Sequence, residues 1–311
     1  MTKNEKCGKV AVIGLAGQSA FMTTHHFPAP GETVSCSSLF FETGGKGYNQ
    51  AVACARMGVH TVFIGAVGDD ANGESCAAEL KKEGIDARLI KKNAPTAYAV
   101  ITTRSDGENT VAVHGGAAKA LTGNDLNRSD IKNALTGCDY LLLQNELSEE
   151  CLSAAFALAQ KMQIPVILNP APAERIPKEL LKECALITPN FGEVKSLAGF
   201  TENDTPTEQA LKHSLKTLGI KKAAVTMGGK GALLIDGEHS CMIPAFSPGK
   251  TIDTTGAGDT FSGALTAFLA KGYPLKEAAE RAAVAAGISV TKKGAAGSIP
   301  AAKDVEKYLC T

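Results

Sequence analysis

Apolar and polar positions along the chain follow two alternating periods. Short apolar runs, rich in β-branched residues, occur at 10–15, 61–66, 140–143, 165–168, 186–188 and 223–227. Their length and composition predict buried strands. Between them the apolar spacing becomes helical. In 47–59, Ala51, Val52, Ala55 and Val59 share one face. In 148–162, Ser148 offers an N-cap and Glu149 and Glu150 occupy the first turn, where a helix dipole favours them. Leu152, Ala155, Phe156, Ala159 and Met162 then form the buried stripe. Strands alternating with helices predict parallel βαβ units, hence an α/β fold with its sheet covered on both faces.

Two segments break this rhythm. Residues 96–114 alternate around Asp106-Gly107 and predict a hairpin. Residues 20–43 read as irregular, with the turn-rich FPAPG and then a strand over 33–41. The two insertions are expected to form a small β element across the edge of the main sheet, a natural lid over a site.

The length of 311 residues allows two domains or one large domain with an insertion. The insertions favour one α/β domain over 1–311, with a lid from about 16–43 and 96–114. Hydrophobic residues at 44% and charged residues at 21% exclude disorder and coiled coil. Lys+Arg and Asp+Glu are both 32, which argues against a general nucleic-acid or acidic-membrane partner but leaves room for a small anion. Nine scattered Cys without a CxxC predict reduced thiols, a cytoplasmic location and no zinc site. The run 10–16 follows three lysines in the manner of a signal peptide, but its shortness and β-branching fit a first strand better. No apolar stretch approaches the roughly 20 residues of a membrane span.

Candidate chemistry lies in four glycine-rich turns. In DTTGAGDTFSG a turn runs into a helix with a Phe261, Leu265, Phe268 and Leu269 face. The amides of Gly256, Ala257 and Gly258 would form an anion site at the helix start. Asp259 would repel a resting phosphate there, so its placement makes sense for a base that deprotonates a nucleophile attacking that phosphate. The bland alternative is a helix-capping Asp. In TGGKGYNQ a second glycine turn leads to a helix, with Lys46 and Asn49 as donors to hydroxyls. It is neither a Walker A loop nor GxGxxG. In TPNFGE, Asn190 and Glu193 have capping-box spacing and could equally stand near a phosphate-bound metal. TMGGKG at 226–231 ends a strand and reads equally as a hairpin turn.

Together these motifs resemble the ribokinase-like (PfkB) carbohydrate kinases. GGKGYNQAVACARMG is similar to the family's N-terminal signature and DTTGAGDTFSGAL to its C-terminal one. The resemblance runs from the first strand to Ser298. It implies a Rossmann-like, mostly parallel sheet with a β lid that serves as a homodimer interface. It also implies transfer of the ATP γ-phosphoryl group to a sugar hydroxyl. Asp259 matches the catalytic base and Gly256, Ala257 and Gly258 the anion hole. Gly45, Lys46, Gly47, Asn49 and Glu146 match the sugar site. Asn190, Thr226, Gly228, Gly229, Lys230, Gly231 and Gly258 match the nucleotide site. Glu193 matches the carboxylate that organises Mg²⁺ through water. Asp253, Thr255, Ser289, Lys292, Gly294 and Ser298 match a loop for an activating monovalent cation such as K⁺.

One departure is prominent. The family's ribokinases carry Asn-x-Asp after the first strand, where the Asp grips two sugar hydroxyls; here Gly17 and Ser19 replace the pair. The loss of a carboxylate acceptor is worth about 1.5–3 kcal/mol per charged hydrogen bond. Gln18 is the nearest candidate substitute. The expectation is an active kinase with an altered acceptor. A nucleoside kinase, with Tyr48 stacking on a base, and a non-catalytic sugar- or nucleotide-binding regulator are the alternatives. A dinucleotide oxidoreductase fails for want of GxGxxG and of an acidic residue ending the second strand. The six histidines show no ligand spacing.

Overall fold

The computed structural model describes residues 7–104, 108–173, 176–201 and 203–309. Its strands are β1 (Lys9–Ile13), β2 (Gly17–Thr24), β3 (Ser38–Gly44), β4 (His60–Gly68), β5 (Asp86–Lys92), β6 (Ala97–Arg104) and β7 (Asn109–His114). They continue with β8 (Tyr140–Gln144), β9 (Val166–Asn169), β10 (Leu186–Ile187), β11 (Lys222–Thr226), β12 (Ala232–Asp236) and β13 (His239–Ile243).

Nine strands form the main sheet in the order β13-β12-β11-β10-β9-β8-β1-β4-β5. All its pairings are parallel except β11–β12 and β12–β13. A parallel strand covered on both faces must be apolar throughout, and Val10, Ala11, Val12 and Ile13 of β1 are fully buried. Successive side chains point to opposite faces. Ala11 and Ile13 accordingly join a core with Leu152 and Phe156 of the helix Glu149–Met162. Val10 and Val12 join the other core, with Val52 of the helix Lys46–Arg56 and Leu265 of the helix Ala257–Ala270. Ser148 caps its helix as expected, accepting from the Cys151 amide at 3.2 Å.

The second sheet has four strands in the order β3-β2-β6-β7. β2 pairs parallel with β6 and antiparallel with β3, and β6 pairs antiparallel with β7. Residues 20–43 are thus more regular than their sequence suggests: β2 and β3 flank a loop, where a single strand over 33–41 was expected. The expected hairpin is β6–β7, and its turn at Asp106-Gly107 lies outside the described residues. Phe21 stacks on Phe40 with centroids 4.6 Å apart, while Leu39, Phe41, Val111 and Val113 face outward, exposed. Among the described residues no helix is long and apolar enough to cross a membrane.

Chain order places the site. From β1 the chain runs outward through β4 and β5; from β8 it runs outward the other way through β9, β10 and β11. Such a reversal opens a crevice at the carboxyl ends of the two central strands, where α/β sheets hold ligands. The helix Lys46–Arg56 approaches that end closely. A Cβ on Gly47 would lie 2.7 Å from the Gly14 Cα. Gly47 is therefore required by packing of helix on strand. Gly47→Ala should cost about 1–3 kcal/mol by overpacking, read as a lower urea midpoint; an unchanged midpoint would contradict this contact.

Candidate active site

Asp259 lies in the first turn of the helix Ala257–Ala270, buried, with both carboxylate oxygens held by amides from the neighbouring helix. Asn49 Nδ2 donates to Oδ2 at 3.0 Å and Gln50 Nε2 to Oδ1 at 2.9 Å. Gln50 is positioned in turn: Gln144 Nε2, at the end of β8, donates to its Oε1 at 2.7 Å. Gln50 Nε2 also reaches Asn169 Oδ1 at 3.1 Å, and Asn169 Nδ2 donates to the Thr188 carbonyl at 2.7 Å. Sequence reading missed Gln50, Gln144 and Asn169. Their available signal was a polar side chain within an otherwise buried apolar helix face or strand.

Donation by Asn49 Nδ2 to Asp259 fixes which end of the amide is oxygen. That Oδ1 is buried and has no hydrogen-bond partner. An orphaned buried acceptor costs stability unless something donates to it, so it suits a ligand hydroxyl. The Lys46 backbone amide donates to Glu146 Oε2 at 2.9 Å, which closes the turn against the loop after β8. Asp259, aided by Glu146 and Glu193 against the cost of burial, holds the Lys46 ammonium above its usual range. Burial pushes Glu146 up to about 7. Burial also raises Glu193, opposed by its bond from the Asn190 amide.

Gly256 caps the helix Ala257–Ala270 at φ 74°, a conformation that suits glycine. A Cβ at Gly258 would meet nothing within 4 Å, so open space borders this helix start, where the Ala257 amide donates to the Thr254 carbonyl at 3.2 Å. Beside them Asn190 and Glu193 form a true capping box: Asn190 N donates to Glu193 Oε2 at 2.7 Å and Glu193 N to Asn190 Oδ1 at 2.8 Å. Among the described residues no group of three or more His, Cys, Asp or Glu could hold a metal ion. So sparse a donor set fits Mg²⁺ carried mainly by phosphates and waters.

A cleft of about 600 Å³ opens next to this box, within the size range of small-ligand sites. Asn190, Thr226, Gly228 and Lys230 line it, together with Phe191, Thr205, Met227, Leu233 and Met242, which sequence reading did not single out. Gly229 and Gly231 are not among its lining residues; Gly231 instead lets β12 start against β13, where a Cβ would lie 2.0 Å from the Ile243 carbonyl oxygen.

The remaining motif residues form a loop beyond the helix start. Asp253 Oδ1 accepts from Thr255 N at 2.9 Å and from Thr255 Oγ1 at 2.7 Å, and Oδ2 accepts from Gly294 N at 3.0 Å. Ser289 donates to the Ala286 carbonyl and Ser298 to the Ala295 carbonyl. Lys292 is exposed and its backbone amide donates to Ser289 O.

Two expectations at the acceptor end change. Tyr48 is buried in the core with Val52, Cys76 and Leu80, where burial raises its hydroxyl pKa, so it is not placed to stack on a base. Gln18 Nε2 donates to Ser75 Oγ at 2.8 Å and to Thr43 Oγ1 at 3.2 Å, which commits its donors within the protein. A recess nearby is lined by Leu15, Gly17, Ser19, Gly45, Tyr98 and Glu146, with Gln18 at its wall.

A polar, glycine-bordered crevice at the switch point of a parallel sheet is the frame of a phosphate-handling α/β enzyme. Residues 8–302 match the family described as pfkB family carbohydrate kinase, and the chain belongs to that family. It is 34% identical over 306 residues to the ribokinase of Staphylococcus aureus, covering 96% of this chain and 99% of that one. It is 32% identical to the deoxyribokinase of Salmonella typhi, over 96% and 98%. The structure of Arabidopsis thaliana ribokinase complexed with ribose and ATP superposes with a TM-score of 0.87 at 32% identity, over 98% of this chain and 100% of that chain.

Glu146 gives this site a pH signature. Its pKa lies at about 7 in the folded protein, above the ordinary 4.5. The folded state therefore binds the proton more tightly than the unfolded state, and the wild type loses stability as pH rises from about 4.5 to about 7. Glu146→Gln lacks that loss. Its stability relative to wild type should rise across this window by at most about 3 kcal/mol, read by urea titrations at pH 5 and 8. A pH-independent difference would contradict the assignment.

Proposed function

We propose that this carbohydrate kinase is a single catalytic domain over 1–311 that transfers the γ-phosphoryl group of ATP to a sugar hydroxyl, with the four-stranded sheet as lid. The observation that carries the reading is Asp259, gripped by Asn49 and Gln50 at a helix start that borders open space at Gly258. The acceptor hydroxyl would lie against the Asp259 carboxylate, within reach of the open Asn49 Oδ1. As its oxygen attacks the γ-phosphorus, its proton passes to the Asp259 carboxylate. The new P–O bond forms as the bond to the β-phosphate oxygen breaks, and ADP leaves. The amides of Gly256, Ala257 and Gly258 accept the charge that builds on the transferring group.

Lys46 and Glu146 would hold the sugar's flank, with Gly45 and Gly47 shaping the loop. Asn190, Thr226, Gly228, Lys230 and the neighbouring Gly229 and Gly231 would form the nucleotide end. When bound, Mg²⁺ neutralises phosphate charge, with Glu193 as its outer carboxylate. The Asp253, Thr255, Ser289, Lys292, Gly294 and Ser298 loop is the proposed K⁺ site. Free thiols at the described cysteines support a cytoplasmic location. The exposed Leu39, Phe41, Val111 and Val113 on the lid support a homodimer through that face.

The acceptor is proposed to differ from ribose. A Cβ at Gly17 would lie 2.2 Å from the Ala97 carbonyl oxygen, so β6 fills the place of the family's Asn side chain. Ser19, buried, offers a hydroxyl in place of a carboxylate. Relatives named ribokinase and deoxyribokinase match this chain almost equally, so likeness alone does not set the sugar. With Tyr48 in the core, nothing favours a nucleoside, and the intact Asp259 network opposes a non-catalytic regulator.

Asp259→Asn should lower turnover by about 10²–10⁴-fold, the range for a general base, while ATP affinity measured by calorimetry stays near wild type. Near-normal turnover would remove Asp259 as the base. An ADP-release panel of ribose, 2-deoxyribose, other sugars and nucleosides, with and without K⁺, should show ribose surpassed by another acceptor. Phe41→Asp should turn the dimer into a monomer by light scattering.

A further inference from the structure

The turn 294–299 is gripped from two sides. Arg56, at the end of the helix Lys46–Arg56, donates through Nη1 to the carbonyls of Ala296 at 2.9 Å and Ile299 at 2.6 Å. Its Nε and Nη2 hold Glu83 at 2.9 and 2.6 Å, which anchors the guanidinium on the core. From the other side Glu42, on β3 of the lid, accepts through Oε2 from the Ala295 amide at 2.9 Å and through Oε1 from the Gly297 amide at 2.5 Å. One turn of backbone thus shows its carbonyls to a cation and its amides to an anion, and the two come from different sheets' supports.

We infer that Glu42 is a positioning residue: it latches the lid to the turn that supports the start of the phosphoryl-transfer helix. The contacts of that turn carry the argument. Ala295 stands behind Gly256, where a Cβ would approach its Cα to 3.0 Å. Gly256 caps the helix that carries Asp259. Gly294 donates to Asp253 in the same loop at 3.0 Å. Displacing Ala295 therefore moves the support of the anion-binding amides.

The other end of the latch is the acceptor side. β3 ends at Gly44 and leads through Gly45 into the helix that bears Lys46 and Asn49. In the β2–β3 register Glu42 faces Ser19. A carboxylate at 19 would stand opposite another at 42, and like charges paired across strands destabilise a sheet. The hydroxyl at 19 and the carboxylate at 42 are therefore compatible, and the latter is free to bond the turn. The latch itself is independent of the proposed function; its kinetic consequence rests on that reading.

The test uses the full chain with Glu42→Ala and the isosteric Glu42→Gln, which keeps one acceptor oxygen for two amides. The readouts are amide hydrogen exchange over 292–299 and 38–44, and steady-state kinetics with ATP, Mg²⁺ and D-ribose or 2-deoxy-D-ribose. In Glu42→Ala the Ala295 and Gly297 amides should exchange about 10- to 100-fold faster, the equivalent of one charge-assisted hydrogen bond. The sugar KM should rise and kcat should fall, each by about tenfold, with the ATP KM unchanged, and Glu42→Gln should fall between. Unchanged exchange at 294–298 in both variants overturns the latch. Faster exchange with every kinetic constant unchanged overturns its positioning role. A wild type that phosphorylates neither these sugars nor any other acceptor counts against the proposed function, while the exchange arm still decides the latch.

Discussion

The site depends on keeping one carboxylate buried and fully hydrogen-bonded. A buried charge without partners is costly, and Asp259 escapes that cost through Asn49 and Gln50. Those partners are useful only if the two helices that carry them lie very close. Gly263 makes that possible, since a Cβ there would fall 2.5 Å from the Gln50 carbonyl oxygen. Gln144 and Asn169 then extend the support to the ends of β8 and β9. The geometry around Asp259 is thereby tied to the central sheet through an unbroken series of polar contacts, with the Asn49 Oδ1 and Gln144 Oε1 acceptors left open.

Electrostatics follow from the same arrangement. The chain has no net charge, with 32 basic and 32 acidic residues. Two helix starts, at Lys46 and Ala257, converge on the crevice, and their amides present partial positive charge there. Lys46 adds one full charge beside Asp259, Glu146 and Glu193. The partial positive charge of these amides is fixed in direction and does not require a basic surface.

Much of the architecture was legible because parallel strands buried on both faces must be apolar, and six such runs stand out. β5, β12 and β13 did not: β5 lies at the sheet edge and reads DARLIKK, with charges among its apolar positions. β2 and β3 were obscured because Gly17, Ser19 and the exposed Leu39, Phe40 and Phe41 disturb simple alternation. The motif residues around Asp259 were legible from turn chemistry. Gln50, Gln144, Glu42 and Arg56 were not, since each acts on a residue distant in sequence, and only the packing of helix on helix and sheet on turn brings them together.

The four-stranded sheet has a further consequence. Leu39, Phe41, Val111 and Val113 of its outer face are exposed, whereas Gly17 and Ser19, which line the recess, are buried. Asn49, Gln50 and Asp259 instead sit on the two helices whose apolar residues join the core of Val10 and Val12. A side chain at Gly17 would press on β6, whereas a change at Asp259 strikes the bonds that join two helices to the central sheet. The two ends of the crevice thus rest on different sheets, joined by the bonds of Glu42 to the turn 294–299.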